Sequence, residues 1–123
     1  WGGGSNSAAR AAARHETAGF EADIRRFEEG VRLEVQQAWQ DLGTARTRQA
    51  TAKSALEAAT EALRVRESRF RQGLDKMIDL LDAETGLREA EMREMVARYD
   101  VVLDTHRLRY VSGATLISME DSQ

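Results

Sequence analysis

Apolar and small residues recur along the first part of the chain at alternating steps of three and four. Phe20, Ile24, Phe27 and Val31 lead to Val35, Ala38, Leu42 and Ala45, and these to Ala52, Leu56, Ala59, Leu63 and Phe70. That spacing is a coiled-coil seam, and the extra four-step from Val31 to Val35 resembles a stutter. No proline interrupts it, so the pattern predicts one helix over residues 8–72, a rod of roughly 100 Å. Gly19, Gly30 and Gly43 lie inside it and each costs about 1 kcal/mol relative to alanine. Either they admit a close neighbour or they are tolerated weak points.

The pattern stops at Gln72-Gly73-Leu74. Gly73 suits a left-handed helix C-cap, Asp75 suits the cap of a following helix, and Asp79 and Asp82 stand near that helix's positive end. Residues 73–75 therefore predict a tip turn, and residues 76–111 a returning helix with Gly113 just past its end. At roughly 54 Å the second helix covers only the tip-proximal half of the first. Phe20, Ile24, Phe27 and Val31 are left to be buried by a helix from elsewhere. Residues 1–7, WGGGSNS, form a glycine-rich lead that is either flexible or the exit of a preceding strand. Ser5, Asn6 and Ser7 are its capping candidates, and residues 112–123 form a tail. The fold class expected is all-α, a long antiparallel coiled-coil hairpin.

The returning helix carries two apolar stripes. At about 100° per residue, Leu80, Ala83, Leu87, Ala90, Ala97, Val101 and Leu108 share one side. Leu81, Met92, Met95, Val96, Tyr99, Val102, Leu103 and Tyr110 share the opposite side. One polar face between them holds Asp82, Glu89, Arg93, Asp100, Asp104 and Arg107, with Asp79 at its edge, and the other holds Glu84, Glu91, Arg98 and Arg109. A helix with one partner needs one stripe; two opposed stripes describe a stave in a wall or the central helix of a bundle.

Composition agrees with long helices. The 123 residues lack proline and cysteine and include only seven aromatics among Phe, Trp and Tyr, while Ala, Glu, Arg and Leu abound. A two-helix hairpin has little interior and needs partners to bury its stripes. The net charge of -3, with both signs interspersed, gives no basic footprint for a nucleic acid. No apolar run approaches a membrane span, no signal peptide opens the chain, and its start reads as internal to a larger protein.

Enzymatic chemistry finds no support. His15 and His106 are far apart along the rods, and neither pairs with a carboxylate in a ligand arrangement. No helical carboxylate-histidine pair and no phosphate-binding glycine loop appears. The histidines read as ordinary polar or seam residues, Trp39 and the methionines as seam packing. No cofactor or metal is expected.

The segment RFRQGLDKMIDLLDAETGLREAEMREMVARYDVVLDTHRLRYVSGATL closely resembles the closing part of the second repeat of the TolC family of outer-membrane efflux and secretion channels. The residues that carry this are the aromatic Phe70 before the Gly73 turn, the run MIDLLDAETGL, the finish RYDVVLDTHRLRYVSG and the preceding EVQQAW. The resemblance implies a homotrimeric tube, with a β-barrel in the outer membrane continued by a helical barrel across the periplasm. Within it, this chain corresponds to a long helix and the tip-proximal returning helix. Membrane contact belongs to a β-barrel outside this chain, and the partners implied are a periplasmic adaptor and an inner-membrane transporter.

By the same resemblance, Asp79 and Asp82 align with aspartates that line the periplasmic constriction, and Gln72, Gly73 and Leu74 with the tip that docks on the adaptor. Asp75 departs from the pattern, standing where the family's best-known member has a basic residue that helps keep the entrance closed. If the face with Asp79 and Asp82 is lumenal, Glu89, Asp100 and Asp104 line the same tunnel against Arg93 and Arg107 alone, an excess of carboxylates that favours cations. Three-fold repetition would crowd the gate carboxylates, raising some of their pKa values or recruiting a divalent cation. The competing reading is a coiled-coil hairpin serving as adaptor or scaffold, with no conduit. Such a hairpin needs mainly one seam, and the Arg and Leu docking pattern of adaptor tips is missing around Gly73.

Overall fold

A computed structural model describes residues 2–121, apart from the side chains of residues 114–119. Trp1, Ser122 and Gln123 lie outside the described residues, and with them the extremes of the expected lead and tail. Two helices account for the fold: α1, Gly2–Arg71, and α2, Met77–Asp121. They pack as an antiparallel hairpin, and no strand occurs among the described residues. The positions group into two compact units, one of residues 38–109 and the other of residues 1–37 with 110–123.

In the unit of residues 38–109, the seam read from the sequence is the packed surface. Ala38, Leu42 and Ala45 of α1 are buried, and Ala52, Leu56, Ala59, Leu63 and Phe70 are half-buried. Opposite them, Ala90 and Ala97 of α2 are buried, with Leu80, Ala83, Leu87, Val101 and Leu108 half-buried. With alanine at four of the five buried positions of this unit, the core is shallow. Arg107 Nη1 donates to Asp41 Oδ2 at 2.7 Å, joining the helices beside the seam. Trp39 lies off the seam and is 66% exposed, which corrects its expected packing there.

In the other unit, Val31 and Val35 are half-buried and Val111 is buried. Phe20, Ile24 and Phe27 stay exposed, so the seam continues in sequence beyond the point where this chain covers it.

Both helices run past their expected ends. Helix α1 continues back through the glycine lead to Gly2, and Ser7 donates its hydroxyl to the Gly4 carbonyl at 3.2 Å as an interior helical residue does, rather than capping. Helix α2 continues through Gly113 to Asp121. A glycine stops a helix when it turns left-handed, and among the described residues Gly73 alone has positive φ.

Candidate functional site

The turn is built by two backbone bonds and one side chain. Leu74 N–H donates to the Arg69 carbonyl at 2.9 Å and Gly73 N–H to the Phe70 carbonyl at 3.0 Å. With Gly73 at φ 76°, this is the double closure of a Schellman motif. Leu74, the residue that usually packs back on the helix in this motif, is exposed. Lys76 stands at the cap position just before α2, and its carbonyl accepts from the Leu80 amide. Lys76 has no side-chain acceptor to offer, and the Asp79 carboxylate supplies the cap from within the first turn by accepting from Lys76 N–H at 3.2 Å. That is the returning half of a capping box.

Asp75, expected to cap α2, points the other way. Its Oδ1 accepts from Arg69 Nε at 2.9 Å and its Oδ2 from Arg66 Nη1 at 3.1 Å. The Arg69 bond, aided by Arg66, holds the Asp75 carboxyl below the usual range against the opposing effect of burial. The correction has a simple reason. Two guanidinium groups of the last turns of α1 outcompete a single backbone N–H for a carboxylate. Arg66 and Arg69 were missed in the sequence, although basic residues three apart before a turn and an acid just after it are a readable signal.

The five carboxylates expected along one face are spread along α2. Asp79 is half-buried at the start of α2, and Asp82 is exposed one turn on. Glu89 lines a groove of about 820 Å³ between the helices, together with Thr47, Thr51, Ala55, Met92, Val96 and Asp100. Asp100 and Asp104, both half-buried, share a smaller hollow with Asp41, Thr44, Ala45 and Arg48. A reading of α2 alone could not see that α1 adds Asp41 and Arg48 to this surface. Among the described residues no group of three or more His, Asp or Glu is gathered as a metal ligand set, and no helix is long and apolar enough to cross a membrane.

The second stripe of α2 is open. Leu81, Met92, Met95, Val96, Tyr99, Val102, Leu103 and Tyr110 are between 47% and 79% exposed, while the opposed stripe is spent on α1. A helix packed on one side and apolar on the other has a second face suited to a further apolar neighbour. The family model described as outer membrane efflux protein matches residues 2–114. The chain belongs to that family, one of channel and transport proteins. Comparison with curated proteins and with solved structures gives no match.

Proposed function

We propose that the chain is a tunnel-wall segment of a trimeric outer-membrane channel for efflux or protein secretion, with residues 72–74 at its periplasmic tip. The observation that carries this reading is α2 in a chain of this family, with one apolar stripe buried on α1 and an opposed one open. A neighbouring hairpin covers the open stripe in the assembled homotrimer. Gln72, Gly73 and Leu74 dock on a periplasmic adaptor that connects the channel to an inner-membrane transporter, and a β-barrel outside this chain makes the membrane contact. Asp79 and Asp82 line the entrance, and Glu89, Asp100 and Asp104 the tunnel beyond it.

Counting both helices, the acids of this surface are Asp41, Asp79, Asp82, Glu89, Asp100 and Asp104, and the bases Arg48, Arg93 and Arg107. Asp41 and Arg48 offset one another, so the acidic excess of α2 alone is kept and a cation preference is expected. The test is single-channel recording on the full-length parent with Asp79→Asn and Asp82→Asn. Asparagine keeps an acceptor oxygen for Lys76 N–H, so the cap survives while the charge is removed. A drop in cation preference supports the gate assignment, and anion selectivity unchanged by the double substitution overturns it. A parent that conducts nothing after reconstitution favours the scaffold without a conduit.

A further inference from the structure

The tip holds more polar bonding than its two helix ends require. The end of α1 is closed by backbone bonds to Arg69 and Phe70, and the start of α2 by Asp79. Asp75 serves neither end. Its side chain is 5% exposed, yet the arginines that cover it remain 46% and 48% exposed on the surface of the hairpin. Leu74, which in such a turn usually packs back on the helix, is 62% exposed. Gln72 is tied to α1 by its own bonds to Ser68 and Arg69, so the conformation of Gly73 and Leu74 rests on two backbone bonds and on whatever holds Asp75.

We propose that Asp75 is the positioning residue of the tip: by bridging Arg69 and Arg66 of its own α1, it fixes the angle at which Gln72, Gly73 and Leu74 are presented. Its purpose rests on the reading of those three residues as a docking surface; its geometry does not. Both bonds stay within one hairpin, so Asp75 ties the turn to its own long helix and leaves no carboxylate oxygen without a guanidinium partner. One carboxylate offsets only one of the two guanidinium charges, and the surface beside Gly73 is mixed, with Leu74, Met77 and Ile78 exposed among exposed Arg71, Gln72 and Lys76.

The clamp responds to pH in one direction. Helix α1 presents Arg66 and Arg69 to the carboxylate; on the α2 side the adjoining charged groups are Lys76 and Asp79, the latter engaged at Lys76 N–H. Because the arginines hold the Asp75 carboxyl below its ordinary range, its contribution is fully present above about pH 4 and is lost as pH falls through the lowered value.

Amide hydrogen exchange on the complete 123-residue chain tests this. Asp75→Asn is expected to lower protection at the Gly73 and Leu74 amides by roughly three- to tenfold at neutral pH, leaving the Leu42 and Ala97 amides unchanged. Wild-type protection at those two tip amides should also fall below about pH 4, and this step should vanish in D75N. In a chain carrying Arg66→Gln and Arg69→Gln, adding D75N should change nothing further, because the bonds it removes are already gone. Unchanged tip protection in D75N, an identical pH profile, or an additive effect in the triple variant would each overturn the clamp. No adaptor is present in this experiment, so a failure of docking in the parent channel would leave its result untouched.

Discussion

Gly73 holds a conformation that a side chain resists. Its φ of 76° lies in the left-handed region, and a Cβ built there would meet nothing within 4 Å, so the cost of adding one is conformational and not steric. Gly73→Ala is expected to destabilise the chain by about 1–2 kcal/mol, read as a lower urea midpoint with an unchanged slope. Gly19, Gly30 and Gly43 are equally open to a Cβ but sit in ordinary helix, so within this chain they admit no close neighbour. Residue identity made Gly73 legible because the apolar period ends where glycine appears. It did not reveal the division of labour between the acids that follow. Asp75 and Asp79 are both suitable caps by type, and the choice depended on arginines one and two turns back across a reversal of the chain.

At the scale of the helix, α2 has to satisfy two partners with opposite sides. Its stripes cancel when apolarity is averaged around the axis, so only tracking residues one by one separates Leu80, Leu87 and Ala97 from Met92, Tyr99 and Tyr110. The structure gives the two stripes different roles within the chain: the first is covered and the second is open. Ala97, 8% exposed, has a small neighbour across the groove in Ala52. Ala97→Leu is expected to wedge the helices and cost about 1–3 kcal/mol. Met92→Ala, at a position 63% exposed, should cost no more than about 0.5 kcal/mol in the same urea titration, run at a chain concentration low enough to keep the protein monomeric. Equal losses would mean that the open stripe is covered in solution. The ends of both helices were less legible than their faces: the faces follow from periodicity, whereas the glycines at either end could have stopped the helix and did not.

For the molecule as a whole, burial is too thin to satisfy the sequence. The seam positions Phe20, Ile24 and Phe27 in one unit and the open stripe of α2 from Leu81 to Leu103 in the other both present large apolar side chains to water, and a hairpin of this size buries little of its own surface. The purified chain is expected to associate. Light scattering should give a mass above 13.8 kDa, and the thermal midpoint should rise with protein concentration. A monomer with a midpoint independent of concentration would show that the uncovered seams are tolerated. The candidate tunnel surface was half legible for a related reason. Its α2 acids fall on one helical face, but Asp41 and Arg48 join them only through the pairing of helices, which no single-helix period contains.

The bond between Arg107 and Asp41 keeps the two helices counting in step away from Gly73. The reach of such a hairpin can therefore change only in matched increments. Removing one heptad from each helix near the turn shortens it by about 10 Å and restores the same facing residues. Removing a heptad from one helix alone slides every later residue past its partner and separates Asp41 from Arg107. An insertion or deletion in this chain is thus half of a change, acceptable only with its counterpart on the other helix, and the length of the hairpin is recorded in paired sevens.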